Sequence, residues 1–258
     1  MLGTAWPAAA LIGAAGMAPI VLVCEHASHF IPPEYGALGL EGDALLSHAA
    51  WDIGALDVAK CLSTRLDAPL VAGQVSRLVY DCNRPLEAPD CIPARSELID
   101  IPGNAGLSDT QKQQRFDTVH TPFHAVADQA IDRQLARSDA PFLLVTVHSF
   151  TPVYHGQRRT LDIGYLHDRN SRAAEAALKI EQELGVFQTA INEPYAARDG
   201  VTYSLAKHAE SRGLDNVMIE IRNDLIDTPA TAETMADHLA KTLKQVMENL
   251  TSSEAVKT

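Results

Sequence analysis

The chain reads as a single α/β domain, with a mixed, mostly parallel central sheet and helices on both faces. Three observations predict it. Short apolar runs alternate along the chain with segments of helical periodicity. The length, 258 residues, suits one large domain, and no repeat or composition break divides it. Hydrophobic residues make up 46% and charged residues 21%, enough apolar material for a core and too much for a disordered chain.

The elements follow in order. Residues 1–18 are apolar and rich in small residues, but they contain no Lys or Arg, and Pro7 and three glycines interrupt them. They read as a flexible extension rather than a signal peptide. The domain is then expected over 19–250, with a disordered tail at 251–258. Residues 20–24 (IVLVC) are a continuous apolar run, as in a buried strand. Residues 45–66 carry Leu46, Ala49, Ile53, Leu56, Ala59 and Leu62 at helical spacing and predict a helix. Two strands are expected next, at 69–72 and at 76–83 (SRLVYDCN), the second stopped by Arg84-Pro85. Residues 85–106 hold four prolines and two glycines and predict a long loop. A helix is expected over 108–138, opened by the capping-box pattern of Ser108 and Gln111 and kinked or broken at Pro122. Residues 142–147 (FLLVTV) are the clearest strand, and 162–166 a shorter one. Helices are predicted over 171–184, ended by Gly185, and over 202–212, ended by Gly213. A strand at 217–222 (VMIEIR) and a helix at 231–250 complete the pattern.

Charge and cysteine usage limit the function. There are 33 acids against 21 bases, a net charge of −12. A nucleic-acid or anionic-membrane binder needs a basic field, so neither is expected as a partner. No apolar run is long enough to span a bilayer, which takes about 20 residues. Cys24, Cys61, Cys82 and Cys91 form no CxxC pair, which suits a reduced, cytoplasmic chain. The 21 bases divide into 14 Arg and 7 Lys, and Arg is the residue suited to forked recognition of carboxylates.

Polar residues at strand ends are the candidates for chemistry, because open α/β sheets place their sites there. His26 follows the first strand, His148 follows the most apolar one, and Glu220 lies near the end of VMIEIR. Two histidines and a carboxylate from separate elements, with a fourth position left to water, are the donor set of a hydrolytic zinc site. His26 and His148 supply the imidazoles. Asp52, in an otherwise apolar WDIGA segment, is the candidate carboxylate, and Glu25 competes for that place. His48 and Asp52 at i,i+4, and His26 and His29 at HxxH spacing, are further pairings. His120 and His124 read as rim or surface residues. In SRLVYDCNR, strand alternation puts Arg77, Val79, Asp81 and Asn83 on one face. Arg77 and Asp81 pair as a structural bridge, or Arg77, Asn83 and Arg84 form an anion site. In VMIEIR, Met218, Glu220 and Arg222 share a face. Burial there raises the Glu220 pKa towards general-base duty, or an internal Glu–Arg pair holds the sheet.

Seven ordered blocks carry a family resemblance: CEHASHFIP (24–32), HAAWDIGA (48–55), SRLVYDCNRP (76–85), VHSFTP (147–152), LDIGYL (161–166), NEPY (192–195) and EIRNDLI (220–226). Over about residues 20–245 the chain resembles the N-formylglutamate amidohydrolase family. That family is similar in fold to the zinc carboxypeptidases and the aspartoacylase-like deacylases, which implies a phosphorylase/hydrolase-like sheet. The resemblance implies hydrolysis of an N-formyl or N-acyl amino acid, a small acidic substrate, with one zinc ion per chain. It implies His26 and His148 as imidazole ligands. Zinc carboxypeptidases take their carboxylate three residues after the first histidine, where this chain has His29, so Asp52 is the expected substitute. It further implies Glu220 as general base and Arg77 as oxyanion stabiliser. Asn83 and Arg84 would grip the substrate carboxylate, and Arg158 or Arg159 would read a second one. Two alternatives stay open: a metallo-carboxypeptidase or deacylase on another N-acyl amino acid or peptide, and a non-catalytic zinc or small-acid binder.

Overall fold

A computed structural model describes residues 6–137 and 140–255. Seven strands form one sheet: β1 (Ala9–Ile12), β2 (Ile20–Cys24), β3 (Leu70–Gly73), β4 (Leu143–Phe150), β5 (Ile163–Leu166), β6 (Thr189–Ile191) and β7 (Asp215–Arg222). Their order across the sheet is β1-β3-β2-β4-β7-β5-β6. The central strands β3, β2, β4 and β7 run parallel, while β1 and the β5–β6 pair run against them. The parallel strands are the continuous apolar runs of the sequence, because helices bury both of their faces.

Alternate residues of each strand serve opposite layers. Leu22, Leu70, Val145, Val147, Val217 and Ile219 face α1 (Ala55–Leu66), α4 (Arg172–Leu184) and α6 (Pro229–Ala255). Val23, Val71, Leu144 and Met218 face α3 (Thr121–Leu135) and α5 (Tyr203–His208). A short helix, α2 (Asp109–Arg115), leads into α3 through one π-helical turn at Phe116–His120. The expected capping box at Ser108 and Gln111 is present, and the irregular turn falls just before Pro122, whose missing N–H suits a helix start. Gly185 ends α4 and Gly213 ends the turn after α5, both with left-handed backbone.

Four local expectations change. The helix expected over 45–66 begins only at Ala55. Residues 47–54 form a turn because Gly54 has φ 79°, and a Cβ there would lie 2.2 Å from the Ile226 carbonyl oxygen. The strand expected over 76–83 is a series of turns. Its buried carbonyls are met by side chains instead of a neighbouring strand: Asn104 donates to Leu78 O at 2.8 Å and Arg115 to Val79 O at 3.2 Å. Residues 9–12, inside the expected extension, pair antiparallel with β3. Residues 1–5 of that segment lie outside the described residues. The helix α6 continues through the expected tail to Ala255, and residues 256–258 lie outside the described residues. Among the described residues, no helix is long and apolar enough to cross a membrane.

Candidate active site

A cavity of about 660 Å³ opens at the carboxyl ends of the parallel strands, lined in part by His26, Asp52, Arg77, His148 and Glu220. β2 delivers Glu25 and His26. The Gly54 turn delivers Asp52, whose N–H donates to His26 O at 2.9 Å. β4 delivers His148 and β7 delivers Glu220, which stand opposite each other in the parallel ladder. The turns of 76–84 deliver Arg77 and Asp81. The candidate ligands His26, Asp52 and His148 are 3%, 1% and 2% exposed, so each needs its polar atoms satisfied inside the protein.

Asp52 is the hub. Its Oδ2 lies 3.2 Å from His26 Nδ1 and 2.8 Å from His148 Nδ1, and its Oδ1 accepts from Arg77 at 3.2 Å. One donor atom from each of His26, Asp52 and His148 falls within 4.8 Å of the others. Each histidine has a second carboxylate on its far nitrogen. His26 Nε2 lies 2.8 Å from Asp81 Oδ1. His148 Nε2 approaches Glu25 Oε2 at 3.1 Å, too obliquely for a hydrogen bond. Arg77 bridges the cluster, donating to Asp81 Oδ2 at 3.0 Å as well as to Asp52.

This arrangement fits a metal ion. Asp81 behind His26 holds the proton on Nε2 and leaves Nδ1 to ligate, as in carboxylate–histidine–metal triads, and Glu25 stands close behind the His148 Nε2. Two Nδ1 lone pairs and a carboxylate oxygen facing one another need positive charge between them. A second proton on each ring supplies it, or a cation does. In the metal-free protein the balance goes to protons. Burial opposes the charged imidazoles, but Asp81 and Asp52 raise the His26 pKa, and Glu25 and Asp52 hold His148 well above its ordinary value. Burial likewise opposes the Asp52 charge, and His26, His148 and Arg77 still keep its carboxyl well below the usual carboxylate range. Glu220 is the exception. Burial pushes its pKa up to about 7, and its Oε2 has no hydrogen-bond partner.

The remaining candidates separate. Glu25, the rival ligand, sits behind His148. His29 packs edge-on to Trp51 at 5.0 Å, away from the cluster. His48 lines the cavity, where burial lowers its pKa to about 4, but it shares no helix face with Asp52 because no helix is there. Arg222 pairs with Asp162 at 2.8 Å and Asp224 at 2.7 Å, so it does not answer Glu220. Asn83 and Arg84 line the cavity with their donors engaged. Asn83 holds Val201 O, and its Oδ1 accepts from Ser204 N–H at 3.0 Å. Arg84 donates to Asp90 at 2.9 Å and to Gly200 O at 2.8 Å. Arg158 is exposed on a hairpin, Val153–Tyr154 against Gln157–Arg158, and is absent from the cavity wall, whereas Arg159 lines it. His120 and His124 are buried rather than at a rim. His124 lies 2.9 Å from Cys82 O and 2.6 Å from His208, which meets Asp128 at 3.0 Å.

Sequence reasoning saw Asp81 only as a partner for Arg77. The carboxylate one residue before Cys82-Asn83 was the available signal for a histidine support. Arg198, which also lines the cavity, lies on a short turn outside any expected strand end and carried no signal of its own.

Known proteins agree with this architecture. The family model of N-formylglutamate amidohydrolase matches residues 18–227. A gene product of Agrobacterium tumefaciens with a known crystal structure is 45% identical, with a TM-score of 0.92 over 95% of this chain and 96% of that one. The crystal structure of N-formylglutamate amidohydrolase from Ralstonia eutropha is 16% identical, with a TM-score of 0.62 over 98% of this chain and 100% of that one, and shares the fold. No curated protein matches the chain. With the matched residues running from before β2 to beyond β7, the chain belongs to the N-formylglutamate amidohydrolase family.

Proposed function

We propose that the protein is a zinc-dependent amidohydrolase, with one zinc ion per chain held by His26, Asp52 and His148. It cleaves an N-formyl amino acid such as N-formyl-L-glutamate, with water, to formate and the free amino acid. The observation that carries this reading is the convergence of two Nδ1 atoms on Asp52, each ring backed by a second carboxylate, beside a buried glutamate of raised pKa. When bound, zinc supplies Lewis-acid chemistry, acidifying water and polarising the amide carbonyl.

The chain's own groups do the rest. Glu220 takes a proton from the attacking water and returns it to the leaving amine nitrogen. A pKa of about 7 matches that exchange at neutral pH. Arg77, fixed between Asp52 and Asp81, turns its quarter-exposed guanidinium towards the cavity and stabilises the developing oxyanion. Such a donor is typically worth about 3–4 kcal/mol in the transition state. Asn83 and Arg84 hold the 199–204 wall, and Arg159 offers a fork to a substrate carboxylate. A cytoplasmic location suits the four free cysteines.

A second reading draws on the cavity. At about 660 Å³ it lies within the ~300–1,000 Å³ range of sites for drug-sized ligands, which favours a larger N-acyl amino acid or peptide as an added substrate. The test is a panel of N-formyl, N-acetyl and peptide substrates on zinc-loaded protein, beginning with N-formyl-L-glutamate. Turnover of none of them would leave a zinc or small-acid binder and sink the hydrolase reading.

A further inference from the structure

Two blocks of the sequence, LDIGYL and NEPY, meet beside Glu220. Gly164 of β5 stands opposite Glu220 in the antiparallel ladder with β7. A Cβ on Gly164 would lie 1.8 Å from Glu193 O, so only glycine lets the 192–195 segment rest on the strand there. Asn192 fastens the segment. Its N–H donates to Tyr165 O at 3.1 Å, and its Oδ1 accepts from His167 N–H at 3.0 Å. The segment then brings Tyr195 to the wall of the cavity that Arg77 and Glu220 also line.

The Tyr195 hydroxyl is placed unlike those of two buried tyrosines. Tyr80 donates to Arg84 O at 3.4 Å and Tyr165 to Glu181 at 2.9 Å, so each spends its proton on the protein. Tyr195 Oη instead accepts, from Arg159 Nη1 at 3.2 Å. A guanidinium is a donor only, so the phenol proton points elsewhere. Among the described residues, no acceptor takes it.

Arg159 is itself fixed. Its guanidinium lies 4.4 Å from the Tyr154 ring centroid and 5.1 Å from that of Tyr195, and Nη1 also donates to Thr151 O at 3.4 Å. An oxygen that accepts from a cation becomes a stronger donor through its own O–H, because linked hydrogen bonds polarise one another. Burial and the Glu220 charge push the Tyr195 pKa up to about 12, against the pull of Arg159 and Arg77. The phenol therefore keeps its proton at neutral pH.

We propose that the Tyr195 hydroxyl, polarised by Arg159, is a catalytic group that donates a hydrogen bond to the substrate's amide oxygen as charge develops there, alongside Arg77. The proton stays on the phenol throughout. This rests on the amidohydrolase reading of the site. It gives the LDIGYL and NEPY blocks a shared task, the mounting of one phenol beside Glu220.

The test is Tyr195→Phe in zinc-loaded protein, because Phe keeps the ring that packs on Arg159 and removes only the hydroxyl. For N-formyl-L-glutamate, kcat is expected to fall about 100- to 1,000-fold, as for loss of other oxyanion donors, with KM and zinc stoichiometry unchanged. Calorimetry gives a readout without turnover. A phosphonamidate of L-glutamate, a tetrahedral mimic, should bind Tyr195→Phe about 10- to 100-fold more weakly than wild type, the loss of a hydrogen bond to a charged group. Arg159→Gln should lower kcat in wild type but no further in Tyr195→Phe, since it acts through the phenol. Deformylation by Tyr195→Phe at the wild-type rate overturns the assignment and leaves the hydrolase reading standing. Weaker binding of the mimic by Tyr195→Phe, with no deformylation by wild type, keeps the donor and removes the hydrolase reading. A wild type that neither deformylates nor binds the mimic overturns both. Additive kcat losses in the double variant overturn the part given to Arg159.

Discussion

His26 and His148 each turn one ring nitrogen to Asp52 and the other to a carboxylate of their own, Asp81 or Glu25. This ranks the acids by role. Asp52→Ala should abolish stoichiometric zinc binding, because it removes a ligand. Glu25→Gln and Asp81→Asn should weaken it about 10- to 100-fold, as the loss of supporting carboxylates does. Equilibrium dialysis against zinc measures all three, and full zinc retention in Asp52→Ala would move the ligand role to Glu25. Glu220 gives a second residue-scale prediction. Its folded pKa of about 7 stands above the ordinary 4.5, so the folded state prefers the protonated form. Stability is therefore intact below pH 4.5, falls as pH rises to about 7, and stays lowered above it. The cost is roughly 3 kcal/mol. In the metal-free protein, Glu220→Gln should raise Tm at pH 8 and leave it nearly unchanged at pH 4; the opposite trend would place an unseen partner beside Glu220. The same variant, zinc-loaded, should lose nearly all deformylation. His26, Asp52, His148 and Glu220 were legible because strand ends and an acid in an apolar segment stand out in any α/β sequence, whereas Arg77 was read from the alternation of a strand that is a series of turns. The supporting roles of Asp81 and Glu25 were not, since they depend on which ring nitrogen faces which carboxylate.

Two turns complete the geometry that the strands β2, β4 and β7 begin. Gly54 puts Asp52 under the histidines, and the 76–84 turns carry Arg77 and Asp81. Both were misread from the sequence for related reasons. Leu46, Ala49 and Ile53 keep helical spacing by chance of sequence: Leu46 is exposed, and the backbone there is not helical. SRLVYDCN has the composition of a strand, but Asn104 and Arg115 supply the hydrogen bonds a neighbouring strand would give. Gly54→Ala combines left-handed strain with a clash at the Ile226 carbonyl, so it should destabilise the fold by about 2–4 kcal/mol and weaken zinc binding with it. Denaturant titration reads the first effect; an unchanged midpoint would mean that the turn tolerates a side chain. His124 secures the second turn through Cys82 O. His124→Ala leaves that carbonyl without its partner, and a loss of about 1–3 kcal/mol is expected. Regular elements fared better: β4, β7, α4 and the α2 capping box were all legible, because apolar runs and cap residues act locally. β1 and β6 were missed as short, half-buried strands at the two sheet edges, where little periodicity is required.

At the scale of the molecule, a chain of net charge −12 gathers arginines around one cavity at the carboxyl ends of four parallel strands. The α/β class and the helices on both faces were legible from the alternation of elements. The antiparallel course of β1, β5 and β6 was not, because strand direction is decided by pairings distant in sequence. A ligand that binds only the folded state stabilises it by mass action. Saturating zinc should therefore raise Tm, and a chelator should reverse the rise. The most direct single measurement follows formate release from N-formyl-L-glutamate by protein stripped of metal and then titrated with zinc, the bound metal being counted in parallel. The expected result is no turnover without metal and activity that rises linearly to a plateau at one zinc per chain. Full turnover by the stripped protein, or a plateau with no bound zinc, would contradict the metal centre at His26, Asp52 and His148.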